Sequence, residues 1–254
     1  MVPQILRLAA AAILLLGAIV RFKRRTPILG AAVLLLLGVL AWRSAATRFI
    51  PLTSPQDVLV CLAAVVLVAY RALSPRGEAS WSASGVYVAA ALMLLLSAAL
   101  PAPASAHENL RSLMLPVHVG GAILAYGLLT LHLVFTIQAA LRAPRGETSR
   151  TPAPSHREKL VARLAVAGEI VYGVFVLGMG MIWGKLAWGR YWGWDLKETL
   201  SLITFGAYAL YLYFEFVIRP SSAWLRVVLS AAAYVCLLIT FFLGARFSAL
   251  HGYG

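Results

Sequence analysis

One stretch of the chain reads PILGAAVLLLLGVLAW over residues 27–42 and contains no charged residue. A helix needs about 20 such residues to cross the hydrocarbon core of a bilayer, and this run approaches that length. It lacks the alternation of polar and apolar residues that is typical of barrel strands. Because backbone groups in lipid must be satisfied within a helix or a closed barrel, the stretch predicts a membrane helix.

The same pattern recurs along the 254 residues and predicts eight apolar runs in all: 2–20, 27–42, 56–70, 84–100, 112–141, 161–183, 198–218 and 224–246. Hydrophobic residues make up 61% of the chain and charged residues 12%. Soluble domains contain about 45–50% apolar and about 25% charged residues. The composition excludes an ordinary soluble enzyme and a disordered protein. We expect an all-α, polytopic membrane protein with about eight transmembrane helices.

The net charge of +13 indicates the sidedness of the chain in the membrane. If the N-terminus lies outside, 13 Lys and Arg residues fall in or beside inward loops and 8 fall in outward segments. The clearest inward clusters are residues 21–25 and 142–159. Positive residues favour the cytoplasmic side, so both termini are expected on the outer, extracytoplasmic side. The charge then implies no nucleic-acid partner.

The two parts of the chain differ in character. Residues 1–100 are rich in Leu, Ala and Val and predict an N-terminal four-helix scaffold whose helix interiors carry almost no polar side chains. Residues 101–254 contain all five histidines and five of the seven tryptophans, so the chemistry is expected there. The two cysteines, Cys61 and Cys236, form no CxxC pair and predict neither a zinc site nor a dithiol centre.

The connection over residues 183–199, here called the Trp-rich segment, contains four Trp, one Tyr and several Gly. Aromatic faces offer stacking area to a planar ligand, and Arg190 and Lys197 would meet carboxylates at its edge. An interfacial aromatic belt is the alternative interpretation. The density of aromatic residues in one outward connection favours a ligand platform.

The predicted topology brings two histidines to the same membrane face as the Trp-rich segment. His118 lies near the start of the fifth helix and His251 follows the eighth helix. Imidazoles are common iron ligands, and a planar tetrapyrrole takes one ligand on each face. From position alone, a haem site and two ordinary interfacial histidines both remain open.

Three motifs resemble one membrane family. Residues 191–204 read YWGWDLKETLSLIT, which is similar to the WWD signature, WGWDPKETWSLITW, of the CcsA (ResC-type) cytochrome c biogenesis proteins. The ending LHGYG at 250–254 resembles the family's LHSYG, and LPVHV at 115–119 followed by Ala125-Tyr126 resembles its first external-histidine helix. The resemblance covers residues 110–254. It implies that the predicted second domain, residues 101–254, is a haem-handling helical core.

The resemblance implies a subunit of a System II cytochrome c synthase (haem lyase) in the bacterial cytoplasmic (inner) membrane. Such proteins bring haem b, as a bound substrate, to the outer face and work with a CcsB (ResB-type) partner. There haem is attached to the CxxCH thiols of apocytochrome c, which a separate thioredoxin-like protein keeps reduced. The external ligands of the haem iron would be His118 and His251, on a platform of Trp188, Trp192, Trp194 and Asp195. From its charge alone, Lys197 is expected to contact a propionate.

Two departures from the family pattern bear on this interpretation. Leu196 replaces the proline that follows the WWD aspartate, and Tyr213 stands where the family has an intramembrane histidine. Ionisable residues at membrane depth are functional candidates, and the chain offers His132 and Glu169. These two residues predict either a hydrogen-bonded structural pair or a relocated internal haem site with His132 or Tyr213 as ligand.

Two other functions stay open. One is a haem exporter, sensor or chaperone of the HemX type, although such relatives look degenerate in the Trp-rich motif. The other is a transporter of another flat amphiphile, such as a quinone, which gives His118 and His251 no role.

Overall fold

The computed structural model describes residues 2–19, 25–47, 52, 54–73, 80–100, 114–142, 156–220 and 222–247. Eight helices occupy nearly all of this part: α1 Val2–Ile19, α2 Arg25–Thr47, α3 Pro55–Leu73, α4 Ser80–Ala99, α5 Met114–Arg142, α6 His156–Trp188, α7 Leu196–Ile218 and α8 Ala223–Phe247. The described residues contain no strand. The all-α prediction is confirmed for them, as Leu- and Ala-rich sequences with high helix propensity lead one to expect.

Six of these helices are long and apolar enough to cross a membrane, namely α2, α3, α5, α6, α7 and α8. The other two contain shorter apolar stretches, Pro3–Ile19 and Ala83–Ala99. The chain is therefore a multi-pass membrane protein. The number of eight spans and the outer location of both termini stay predictions.

The chain divides into two compact units, with the boundary between Pro116 and Val117. In the first unit, α1 packs against α2 and α4, and α3 packs against the same two helices. Small residues such as Ala10, Ala32, Ala63 and Ala90 are fully buried and let the helices approach closely. The division of labour between a scaffold, 1–100, and a functional part, 101–254, stays a prediction.

Paired polar side chains occupy part of the interior of the first unit. Arg7 is only 7% exposed and donates to the carbonyl oxygen and the Oγ of Ser97, both at 3.0 Å. Arg43 donates to both carboxylate oxygens of Asp57 at 2.9 Å, and Ser54 Oγ donates to the same carboxylate. Charged groups are buried at these helix ends because each finds a charged or hydrogen-bonding partner.

The second unit has an aromatic interior. Its helices α7 and α8 pack side by side along their length, and α6 adjoins α7. From α5, the ring of Tyr126 stacks on Tyr172 of α6 at 6.1 Å between centroids and meets Phe241 of α8 edge-on. Thr130 of α5 hydrogen-bonds the Tyr234 hydroxyl of α8 at 2.8 Å. These contacts fix the position of α5 along α6 and α8, and so determine which side chains of those helices each α5 residue meets.

Two helices contain π-helical turns. Residues Tyr172–Gly178 of α6 and Phe214–Ile218 of α7 have i→i+5 hydrogen bonding, which is rare and often found at functional sites. At the end of the first π-helix, the Met179 N–H donates to the Val174 carbonyl. This π-helix lies where α6 meets the beginning of α5, and it shapes the candidate site described next.

Candidate functional site

The Trp-rich segment begins on the last turns of α6 and continues through a short connection into α7. Gly189 ends α6 in the left-handed conformation, with φ +77°, and its N–H donates to the Lys185 carbonyl at 3.0 Å. Glycine favours this conformation because it has no Cβ. Trp194 also has a positive φ, 55°, which is strained for a bulky residue. The connection therefore turns sharply at both ends, and Trp194 is 70% exposed.

A reciprocal capping box fixes the start of α7. Asp195 Oδ1 accepts from the Glu198 N–H at 2.8 Å, and Glu198 Oε2 accepts from the Asp195 N–H at 3.3 Å. The same Glu198 oxygen accepts from the Gly193 N–H at 2.6 Å. The structure thus gives Asp195 the role of a helix cap. A contact of Asp195 with haem stays a prediction.

The four tryptophans form two edge-to-face pairs. Trp183 is buried and meets Trp188 with ring centroids 4.6 Å apart and planes at 78°. Trp192 meets Trp194 with centroids 5.7 Å apart and planes at 83°. Edge-to-face pairs are a preferred aromatic arrangement and add stability beyond buried area. Trp188 and Trp192 are half-buried, so each pair joins a more sheltered ring to a more accessible one.

His118 lies in the first turns of α5 against α6. Its Nδ1 is 2.7 Å from the Phe175 carbonyl oxygen. Its ring is nearly parallel to that of Trp183, with centroids 6.2 Å apart and planes at 9°. Because Trp183 also touches Trp188, the structure connects His118 to the Trp-rich segment. The second predicted iron ligand, His251, lies outside the described residues.

A hydrogen-bond donor at this end of the unit, the Trp192 indole Nε1, is buried without an acceptor among the described residues. Lys197 packs on α8, where a Cβ built at Gly244 would lie 3.0 Å from Lys197 Cγ. The Lys197 ammonium is within electrostatic range of His118 and Asp195. Buried donors normally have acceptors, so the Trp192 indole suits a ligand that carries carboxylates, and the Lys197 ammonium adds a positive charge at this end of the unit.

The internal residues do not come together as expected. His132 is fully buried, its Nδ1 is 3.2 Å from the Val161 carbonyl oxygen, and its Nε2 has no partner among the described residues. Both carboxylate oxygens of Glu169 likewise lack a hydrogen-bond partner in the described ranges. The expected His132–Glu169 pair is therefore not formed. The ring of Tyr211 lies 4.7 Å from that of His132, whereas Tyr213 is 50% exposed. The helical period explains this, since residues two apart face different sides.

Three groups at the candidate site were not predicted from the sequence. Trp183 lies in the Trp-rich segment but was not among the predicted site residues, and its contact with His118 depends on tertiary packing. The pattern Asp-x-x-Glu before an apolar run is a readable signature of a capping box, and it would have identified the role of Glu198. Nothing in the sequence points to the Phe175 carbonyl, because no residue pattern around Phe175 predicts a π-helix.

The described part of the chain thus defines a class: a multi-pass helical membrane protein with a histidine held against a Trp-rich connection. The sequence profile of the family described as "Cytochrome C assembly protein" matches residues 2–251. The chain belongs to this family of cytochrome c assembly proteins, and the resemblance to CcsA-type proteins is confirmed.

Individual relatives match shorter stretches. The chain is 43% identical over 77 residues to "Cytochrome c biogenesis protein CcsA" of Gloeobacter violaceus, covering 30% of this chain and 22% of the relative. It is 36% identical over 106 residues to the CcsA protein of Prochlorococcus marinus strain MIT 9312, covering 39% and 33%. It is 29% identical over 154 residues to "Protein NrfI" of Wolinella succinogenes, covering 57% and 16%. The matched stretches therefore span a third or less of these relatives.

Proposed function

We propose that this protein delivers haem b to the outer face of the bacterial cytoplasmic membrane and presents it for attachment to apocytochrome c, as a subunit of a System II cytochrome c synthase. The observation that carries the proposal is the position of His118, stacked on Trp183 beside the Trp-rich segment. An imidazole next to a cluster of aromatic faces suits an iron porphyrin, which needs both an axial ligand and flat apolar contacts.

In this proposal haem is a substrate held by residues of the second unit. His118 and His251 bind the iron from opposite faces, and Trp188, Trp192 and Trp194 contact the macrocycle. The Lys197 ammonium and the Trp192 indole N–H donate to the propionates; the indole supports this fit, because its buried Nε1 has no acceptor among the described residues. Charge-assisted bonds to carboxylates are strong and orienting.

The chemistry requires orientation more than acid–base catalysis. Each cysteine thiol of the CxxCH motif adds across one haem vinyl group: the sulfur bonds to one vinyl carbon, and the other carbon gains the proton. No oxidant or reductant is consumed in this addition. Holding two reactants in a productive geometry supplies a large part of such a rate, and a rigid aromatic platform provides that geometry.

The proposal implies partners beyond this chain. A CcsB (ResB-type) membrane protein would complete the synthase, and apocytochrome c would supply the thiols. Cys61 and Cys236 lie on different helices, α3 and α8, and form no CxxC pair, so a separate thioredoxin-like protein would keep the substrate thiols reduced. Membrane lipid surrounds the spans.

A visible spectrum of the protein purified with its CcsB-type partner tests the proposal. Two histidine ligands predict a low-spin Soret band with resolved α and β bands. His118→Ala and His251→Ala should each weaken this spectrum, and added imidazole should restore it by replacing the lost ligand. His156→Ala is the control, because His156 is exposed at the start of α6 and should leave the spectrum unchanged. A haem-free wild-type protein, or equal spectra in all variants, would contradict the proposal.

Thioether formation on a CxxCH apocytochrome separates a synthase subunit from a HemX-type exporter or chaperone. The proposed function predicts covalent haem attachment that depends on His118. Bound haem without any covalent product would favour the exporter.

A further inference from the structure

The change from π- to α-helical hydrogen bonding in α6 is expected to free one carbonyl from its usual helical partner. The π-helix covers Tyr172–Gly178, and at its end the Met179 N–H donates five residues back to Val174 O. The helix is α-helical from Met179 onward, and an α-helical bond from Gly180 would reach four residues back to Val176. The carbonyl that this change of register would skip is that of Phe175, whose oxygen lies 2.7 Å from His118 Nδ1.

We propose that the π-helix of α6 positions His118 by presenting the Phe175 carbonyl, so that Nδ1 carries the proton and Nε2 is the only atom of His118 able to bind iron. A carbonyl oxygen accepts hydrogen bonds and cannot donate them, so Nδ1 must be the donor. A neutral imidazole with a proton on Nδ1 has its lone pair on Nε2. The binding of iron by Nε2 rests on the proposed function. The position of the proton on Nδ1 rests on the structure alone.

A second histidine provides an internal comparison. His132 follows His118 by 14 residues and contacts Val161, which precedes Phe175 by 14 residues. The two contacts therefore have the same register between α5 and α6, separated by about 21 Å along α5. Val161 lies in regular α-helix, where its carbonyl is already engaged, and its distance from His132 Nδ1 is 3.2 Å. The contact of His118 Nδ1 with the Phe175 carbonyl, at the π-helix, is shorter by half an ångström.

Two glycines make room for this arrangement. A Cβ built at Gly180 would lie 3.2 Å from His118 Cε1, so a side chain there would push the imidazole. A Cβ built at Gly121, one turn after His118, would overlap the Phe175 side chain. The glycines thus permit both the imidazole and the residue that supplies the acceptor to sit close to the opposite helix.

The consequence for haem is a stronger and better-oriented ligand. When a ligating imidazole donates its other N–H to a carbonyl, the ring orientation is fixed and the ligand becomes more basic. Loss of such a partner typically lowers the affinity for a metal by about 10- to 100-fold. His118 would therefore hold iron through Nε2 more firmly than an unsupported imidazole.

Nitrogen NMR on histidine labelled with ¹⁵N tests the tautomer in full-length protein in lipid bilayers without haem. His118→Gln identifies the signals of His118 by their loss. We expect a protonated Nδ1 and a bare Nε2. The reverse tautomer, or an averaged mixture, would overturn the proposal, and this readout does not depend on whether the protein binds haem.

The haem-loaded protein tests the positioning. Gly180→Ala should lower haem retention by about tenfold and raise the reduction potential, because a displaced imidazole is a weaker electron donor. Gly206→Ala is the matched control, since nothing lies within 4 Å of a Cβ built there. Equal retention and equal potential in the two variants would overturn the positioning role. A wild-type protein without haem would instead contradict the proposed function, while the nitrogen spectra would still decide the tautomer.

Discussion

Asp195 and Glu198 bind each other's backbone amides at the start of α7, with Asp195 Oδ1 2.8 Å from Glu198 N and Glu198 Oε2 3.3 Å from Asp195 N. Glu198 Oε2 also accepts from Gly193 N–H in the Trp-rich segment. The two carboxylates beside the tryptophans therefore hold the connection to the helix. Their loss would move the aromatic rings without removing any of them.

Replacing Asp195 separates this capping role from a role of its charge. Asp195→Ala should destabilise the protein by about 0.5–2 kcal/mol and lower haem retention, because the Trp-rich segment loses its anchor. Asp195→Asn should preserve both, since asparagine caps helices as well as aspartate does. Thermal unfolding in detergent and haem content measure the two effects. If the Asn variant fails as badly as the Ala variant, the carboxylate charge acts directly on the ligand.

Hydropathy predicted the class of fold, and the predicted topology put His118 on the same membrane face as the Trp-rich segment. The structure brings the His118 ring next to Trp183 of that segment. The position of Leu196 in α7 also explains why leucine can replace the family's proline. Leu196 is the first residue of α7 after the Asp195 cap, where proline is favoured but not required.

Other features could not be predicted, because they depend on packing between helices. The buried bonds of Arg7 with Ser97 join residues 90 positions apart. The position of Tyr213 on the exposed side of α7, with Tyr211 turned inward, depends on which face of that helix meets α5. The contact of His118 Nδ1 with the Phe175 carbonyl lies at a π-helix, a change in hydrogen bonding that hydropathy does not report.

Lys197 is predicted to recognise a haem propionate. Lys197→Met keeps much of the side-chain length and removes the ammonium, so haem retention should fall by about 10- to 100-fold, the loss expected for one charge-assisted hydrogen bond of about 1.5–3 kcal/mol. Lys159→Met is the control, because Lys159 is exposed near the start of α6. Retention is measured by transfer of haem to apomyoglobin.

An esterified ligand decides whether the propionate is the group recognised. Haem dimethyl ester carries no carboxylate, so the wild type and Lys197→Met should retain it equally. A difference that persists with the ester would mean that Lys197 acts through His118 or through packing on Gly244.

The Arg43–Asp57 ion pair is predicted to stabilise the first unit. Asp57 is buried, and Arg43→Met leaves its carboxylate without the guanidinium, which should lower the free energy of unfolding by about 3–5 kcal/mol. The double variant Arg43→Met with Asp57→Leu should recover part of this loss, because the uncompensated carboxylate is removed, while buried Arg7 loses the attraction of Asp57 and keeps its hydrogen bonds to Ser97. Thermal unfolding in detergent compares the variants. If the double variant is no more stable than Arg43→Met, the loss arises from packing and not from the uncompensated charge.

His132 is predicted to be a structural residue and not a haem ligand. Its ring is fully buried, its Nδ1 contacts the Val161 carbonyl, and the ring of Tyr211 lies edge-on at 4.7 Å, which leaves little space for a macrocycle. His132→Ala should therefore lower thermal stability, because it leaves a cavity, while the haem content per folded protein and the visible spectrum stay unchanged. Tyr213→Phe, on the exposed side of α7, should alter neither stability nor spectrum. A folded His132→Ala protein that loses part of its low-spin haem signal would instead establish an internal site, and Tyr211 would then be the neighbouring side chain to test.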